Sequence, residues 1–325
     1  MTPKENLLRA IRCEQPQWVP EGLDGPVYLA NVATIWSPVA ERPEEPGPDA
    51  FGVDWSLKEH AEGGTYPTHG GHTISRLGRW RDEITIPHVD DQDWDRIRAE
   101  AEAVDRDENL VMGFVEMGLF ERSYLLLGME EALMAYMTDP DEMSAMLGAI
   151  ADYKIEVIER FHDDARLDMV WYGDDWGTQD ALFLPPDVWR RAVKPHTLRI
   201  FDCMRKRGII INLHTCGKVE AIFGDIIEMG ADMWNPCQPC NDLARLKQEY
   251  GDRIAFHGGI DSQFVLDRPG VTAEEVRAEA RRCIDTLAPG GGYIAGPSHH
   301  VPHDPELLAA LREEVETYGR QLYGQ

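Results

Sequence analysis

No run of about 18 consecutive apolar residues occurs in this sequence, so no membrane-spanning helix is expected. The opening Met1-Thr2-Pro3-Lys4-Glu5-Asn6 has none of the features of a secretion signal, and a cytoplasmic protein is the expectation. Cysteine is sparse: six residues (13, 203, 216, 237, 240 and 283) in a chain of 325 make no disulfide framework, and free thiols are expected. Basic residues are also few. With 32 Lys+Arg against 58 Asp+Glu, the net charge is −26 and the pI about 4.7. That balance argues against nucleic acid or an anionic membrane as a partner and favours a neutral or cationic small molecule. No G-x-G-x-x-G follows a predicted strand, which counts against a dinucleotide-binding domain.

What is present is a regular alternation. A short amphipathic helix is expected over 1–13, with Thr2 and Glu5 forming a capping box, and Trp18-Val19-Pro20 leads into a first strand. From about 22 to 90 the chain is irregular and rich in Pro, Gly and Trp, as in Arg42-Pro43-Glu44-Glu45-Pro46-Gly47-Pro48. A stretch of this length reads as a lid over a site, holding Trp36, Trp55, Tyr66, Trp80, His69 and His72. Helices are then expected over 90–102, 116–129 and 139–162, with a strand at 110–114. From 169 onward, strands at 169–172, 209–213, 232–234, 253–256 and 292–295 alternate with helices at 186–206, 218–229, 241–249, 272–287 and 305–321. Alternation of this kind means a parallel sheet with crossover helices. A (β/α)8 barrel is expected, as a single domain over 1–325.

In such a barrel the C-terminal ends of the strands converge on one mouth. Predicted strand ends place there Glu116, Asp174 and Asp175, His214 and Cys216, Asn235 and Gln238, His257 and Asp261, and His299. Each has an ordinary explanation, since an aspartate at a strand end can cap the next helix and Asn235-Pro236 can make a turn. Their recurrence in successive units points to an active site. The sharpest segment is Leu213-His214-Thr215-Cys216-Gly217 at the end of an apolar run. Side chains alternate along a strand, so His214 and Cys216 face the same side, and nitrogen with sulfur suits Zn²⁺. Cys237-x-x-Cys240 also has ligand-like spacing. His299-His300-x-x-His303 lies in a Pro-rich loop, where His299 reads as a substrate or cofactor contact or as part of a solvated loop. Trp171 and Trp234 read as core residues, and Cys13, Cys203 and Cys283 as buried small apolar ones.

Several of these segments carry a family resemblance: Gly173-Asp174-Asp175-Trp176-Gly177-Thr178-Gln179, His214-Thr215-Cys216-Gly217, Asn235-Pro236-Cys237-Gln238, His257-Gly258-Gly259-Ile260-Asp261 and Gly290-Gly291-Gly292-Tyr293-Ile294. Gly118-Leu119-Phe120-Glu121-Arg122 fits as well. Over about 110–320 the chain resembles the uroporphyrinogen decarboxylase superfamily, and within it the corrinoid-dependent methyltransferases. Decarboxylases of the superfamily hold a polycarboxylate with arginines near the N-terminus. Here that region reads Gln17-Trp18-Val19-Pro20-Glu21-Gly22, with Arg9 and Arg12 only on the first helix. The resemblance implies a zinc ion at His214 and Cys216, with the later family cysteine replaced by Gly290-Gly291-Gly292. Cys237, Cys240, His257 or Glu116 would then complete the ligands. It further implies transfer of a methyl group from a small O- or N-methylated molecule to the corrinoid of a separate protein, with zinc polarising the leaving atom and Asp174 or Asp175 handling the proton. Glu116, Asn235, Gln238, His257, Asp261 and His299 would bind substrate. The alternatives are a decarboxylase acting on a less anionic acid and a corrinoid- or tetrapyrrole-binding protein.

Overall fold

The computed structural model describes residues 1–25, 27–57, 64–299 and 304–323. Seven parallel strands form the main sheet in chain order: β1 (Val32–Trp36), β5 (Leu110–Val115), β6 (Met169–Gly173), β7 (Ile210–His214), β8 (Met233–Asn235), β9 (Ala255–Ile260) and β10 (Tyr293–Pro297). Between β1 and β5 lies a small antiparallel sheet of β2 (Gly47–Pro48), β3 (Asp54–Ser56) and β4 (Tyr66–Pro67).

The main sheet curls into the expected (β/α)8-type barrel, with one stave reduced. Residues 20–22 lie against β10, where Ala295 N–H donates to the Pro20 carbonyl and Gly22 N–H to the Ala295 carbonyl, each at 2.8 Å. On its other side this segment accepts a hydrogen bond from Ala30 N–H, just before β1. The strand expected after Trp18 is therefore a single bridge, Glu21 with Ala295. Pro20 has no N–H to extend the ladder.

Inside the barrel, Leu110, Met112, Met169, Met233, Ala255 and Ile294 form an apolar floor. The helix Pro3–Ile11 plugs the N-terminal end with Leu7, Ala10 and Ile11, and its capping box is as the sequence predicts, with Glu5 N–H donating to Thr2 Oγ1 at 3.2 Å. Each fully buried Leu, Ile or Met among these stabilises the fold by about 1.5–3 kcal/mol. A second and larger apolar layer packs the helices onto the outside of the strands. The helix expected over 186–206 is two, Pro186–Ala192 and Lys194–Lys206, because Pro195 has no N–H to carry the hydrogen-bond ladder through.

One local arrangement positions the site. The helix Leu119–Leu127 has no side-chain cap of its own, and Asp174 supplies one from the end of β6. Its carboxylate accepts from Phe120 N–H at 3.1 Å and from Glu121 N–H at 3.0 Å. That approach requires a glycine at 118, where a Cβ would stand 2.2 Å from the Asp174 Cβ. Gly118→Ala is therefore expected to destabilise the protein by about 1–3 kcal/mol through overpacking. A thermal midpoint unchanged from wild type would refute this.

Candidate active site and metal centre

The parallel register of β6, β7 and β8 sets Gly173, His214 and Asn235 side by side at the mouth. As the strand period demands, His214 and Cys216 face the same point, with Nε2 and Sγ 3.4 Å apart. Asp175 joins them: its Oδ1 lies 3.6 Å from His214 Nε2 and accepts from Cys216 N–H at 2.7 Å. Among the described residues, this is the group of three ligand-capable side chains whose donor atoms all lie within 4.8 Å of one another.

The protonation of His214 follows from its neighbours. Asn235 Nδ2 donates to the Leu213 carbonyl at 3.4 Å and to Asn212 Oδ1 at 2.6 Å. A backbone carbonyl only accepts, so the Asn235 amide is oriented, and its Oδ1 is the atom 2.6 Å from His214 Nδ1. Nδ1 therefore carries the proton, and the lone pair of Nε2 faces Cys216 and Asp175. Burial, together with the Asp175 carboxylate, pushes the Cys216 thiol well above its usual range. Sulfur, nitrogen and oxygen donors thus converge, an arrangement that fits a divalent metal such as zinc. Gln238 holds the same loop, its Oε1 accepting from Gly217 N–H at 2.5 Å.

The other predicted residues separate. Asp174, expected as a proton carrier, is wholly buried with its carboxylate committed to the helix cap, and burial pushes its pKa up to about 6. That placement sets it at the start of the helix Leu119–Leu127, outside the group of His214, Cys216 and Asp175. Cys237 is buried outside the donor group, adopts a positive φ of 49°, and turns its thiol to the Trp234 carbonyl at 3.1 Å. Cys240 likewise lies outside the donor group and borders a neighbouring cavity of about 450 Å³. Asp261, expected to touch substrate, caps the turn at Ser262–Leu266 by accepting from Phe264 N–H at 2.9 Å, and also borders that cavity. His257 points into the barrel interior, where glycines make room for it; a Cβ on Gly22 would stand 2.4 Å from its Nε2. Among the described residues neither ring nitrogen has a hydrogen-bond partner of good geometry, and burial lowers its pKa to about 4, opposed by the Gly22 backbone. It is not among the residues that line the cleft with His214 and Cys216. His299 borders both spaces, with its backbone N–H bonded to Ser262 Oγ at 3.0 Å. His300 and His303 lie outside the described residues.

The donor group opens into a cleft of about 800 Å³, walled by Trp36, Phe114, Trp171, Glu116 and Glu121 and by residues 38–44 and 64–65 of the segment expected as a lid. Trp171 is core as expected, yet it also reaches this cleft. Glu121 was not singled out from the sequence, although it sits in the Gly118–Arg122 motif. Burial raises its carboxyl well above the usual range, with Asp175, Asp174 and Glu116 adding to the shift. Burial also lifts Glu116 to about 7, opposed by Arg42 and reinforced by Glu41. A carboxyl whose folded pKa exceeds its unfolded value adds stability that is complete below the unfolded pKa and is lost as pH rises through the folded one. Glu116→Gln is thus expected to gain stability on wild type between pH 4.5 and about 7, by no more than about 3 kcal/mol. Urea midpoints across that range check this, and parallel pH profiles would refute it.

Barrel and site together define a (β/α)-barrel protein with a candidate metal centre at its C-terminal mouth. The sequence model described as uroporphyrinogen decarboxylase (URO-D) matches residues 90–318, and the chain belongs to that family. It is 28% identical over 187 residues to a uroporphyrinogen decarboxylase of Thioalkalivibrio sulfidiphilus, covering 56% of this chain and 50% of the relative. It is 30% identical over 154 residues to the methylcobamide:CoM methyltransferase MtaA of Methanosarcina barkeri, covering 46% and 43%. The chain thus spans about half the length of the curated relatives it matches. Among solved structures, a methyltransferase from Methanosarcina mazei superposes with a TM-score of 0.69 at 17% identity, over 98% of this chain and 99% of that one, which shows the shared fold. Among the described residues, no helix is long and apolar enough to cross a membrane.

Proposed function

We propose that this protein is a methyltransferase that moves a methyl group from a small O- or N-methylated molecule to the corrinoid of a separate protein. The observation that carries the reading is the convergence of His214, Cys216 and Asp175, with Asn235 holding His214 as a metal-ready base. The similarity to a methylcobamide:CoM methyltransferase supports it. Zn²⁺ held by those three side chains would supply a Lewis acid for the departing atom. The chain's own residues do the rest. Asp175 and Cys216 set the charge at the donor point, and Phe114 and Trp171 give the cleft an apolar wall beside it. Glu116 and Glu121, raised by burial, stand where a protonated carboxyl can serve the leaving atom. In the overall change the bond from methyl carbon to the leaving atom breaks. Its electron pair stays on that atom, which takes up a proton, and the nucleophilic Co(I) receives the methyl group. A decarboxylase for a polyanion fits less well, because its substrate would meet the Asp175 carboxylate beside His214 and Cys216.

The test is to incubate zinc-loaded protein with cob(I)alamin and a panel of methoxylated and N-methylated compounds, following the cobalamin absorption spectrum. Conversion to methylcobalamin with at least one compound, abolished in Cys216→Ser, is expected. Release of carbon dioxide from an added carboxylic acid without corrinoid would overturn the reading in favour of a lyase.

A further inference from the structure

Asn212 is a polar break in the apolar run that leads to His214. Two residues before His214 on β7, it faces the same way, into the barrel. Register sets it between Trp171 on β6 and Met233 on β8, two of the apolar side chains of the interior. It is fully buried. A primary amide in such surroundings is costly unless its hydrogen bonds are made. Its Oδ1 accepts from Asn235 Nδ2 at 2.6 Å, and its Nδ2 donates to Met112 Sδ at 3.8 Å. Asn235 Oδ1 in turn meets His214 Nδ1 at 2.6 Å. A chain of polar groups therefore runs from the floor, through two amides, to the imidazole that faces Cys216 and Asp175. The Trp171 ring, 4.5 Å from that imidazole and tilted by 32°, braces it from the side.

Such a chain has two self-consistent directions. As found, both amide NH2 groups point away from His214, and Nδ1 carries the imidazole proton. With both amides turned over, Asn212 would donate to Asn235 and Asn235 to Nδ1. The proton would then sit on Nε2 and cover the lone pair that faces the donor point. Reversal would also set Asn235 Oδ1 against the Leu213 carbonyl, which Nδ2 now meets at 3.4 Å, and Asn212 Oδ1 against the Met112 sulfur. Neither carbonyl nor thioether can donate, so both favour the direction found. The Leu213 contact is long, and the 2.6 Å bond to Asn212 is the stronger hold on the Asn235 amide. We infer that Asn212 is a positioning residue for the metal centre: through Asn235 it holds the His214 proton on Nδ1 and so keeps Nε2 open to a metal. The inference rests on the metal-centred reading above for its purpose, while the place of the proton belongs to the chain alone.

Two-bond ¹H–¹⁵N correlation spectra of full-length protein labelled in its histidines read that proton directly. They are taken without metal at pH 8, above the ordinary histidine range, and the His214 signals are identified by their loss in His214→Gln. Wild type is expected with the proton on Nδ1. Asn212→Leu, apolar and similar in size, should move a substantial share of His214 to the Nε2–H form. Its zinc affinity, measured by competition with a chromophoric chelator, should fall about 10-fold. Asn212→Asp, which keeps an oxygen facing Asn235 Nδ2, should restore both. Met112→Leu, a change that cores tolerate, removes only the acceptor at the buried end and should shift the tautomer in the same direction by less. A wild-type proton on Nε2 would overturn the inference, as would an Asn212→Leu variant with the wild-type tautomer. Weaker zinc binding without a change of tautomer would mark Asn212 as merely structural and overturn it equally. The two readings part cleanly. Zinc absent from wild type, with the tautomer still following Asn212, removes the metal-centred reading and leaves the hold of Asn212 on His214. Zinc bound, with the tautomer indifferent to Asn212, removes only the inference.

Discussion

Cys216→Ser is expected to strip the barrel mouth of zinc. Wild-type protein prepared without chelators should hold about one zinc per chain, and the variant should bind it at least about 100-fold more weakly, because a thiolate is replaced by a poorly ligating hydroxyl. The argument does not rest on the cysteine alone. Its backbone N–H holds Asp175 Oδ1 at 2.7 Å, and its Sγ lies 3.4 Å from His214 Nε2, so the thiol is one corner of a constrained triangle. Asn235→Leu provides an independent check, since Asn235 stands behind His214 and is not itself one of the three donors. Loss of its Oδ1 frees the imidazole to place its proton on Nε2, which blocks the lone pair. A 10- to 100-fold weaker affinity is expected. Metal analysis after dialysis against a competing chelator measures both. Undiminished zinc in Cys216→Ser would show that the three side chains do not form the site.

Arg122→Met is expected to cost about 3–5 kcal/mol of stability, the usual penalty for removing one partner from a buried ion pair. Arg122 is fully buried, with Nη1 bonded to Asp49 Oδ2 at 2.6 Å and Nη2 to Glu41 Oε2 at 3.2 Å. Its guanidinium lies 4.2 Å over the Phe51 ring. Lys154, equally buried, reaches Glu41 at 2.6 Å and the Glu116 carbonyl at 2.8 Å. The network ties the insertion after β1, through Glu41 and Asp49, to the helices Leu119–Leu127 and Pro140–Ala165. In the variant Lys154 still serves Glu41, while Asp49 loses the guanidinium and keeps only the Phe51 and Val53 N–H groups and Trp55 Nε1 as hydrogen-bond donors among the described residues. Urea midpoints test this, and a variant as stable as wild type would refute it. Because Glu41 also lines the cleft, its wall should loosen with the network.

Legibility from sequence depended on whether a feature is set by neighbours along the chain. The helix Pro305–Gln321 begins and ends where its periodicity and its proline place it. The strand that ends at His214 was equally legible, because an apolar run stops there at a polar residue. Asp174 and Asp175 were not separable: adjacent residues at a strand end take opposite directions, one into a helix cap and one toward the metal donors. The Cys237-x-x-Cys240 spacing could not show the backbone turn that points the first thiol at the Trp234 carbonyl.

The sequence by itself determined the barrel class, the capping of the first helix and the shared side of His214 and Cys216. Each follows from local periodicity, from hydrogen bonds within a turn, or from an apolar run. Tertiary structure alone decided that Asp175 completes the donor group, that Asn235 sets the His214 proton and that Trp36, Phe114 and Trp171 form one wall. Those contacts join different strands, and their distances are set by register and by closure of the sheet. Tertiary packing also decided that His257 is sealed in the interior, since only the glycines facing it from two other segments leave it room.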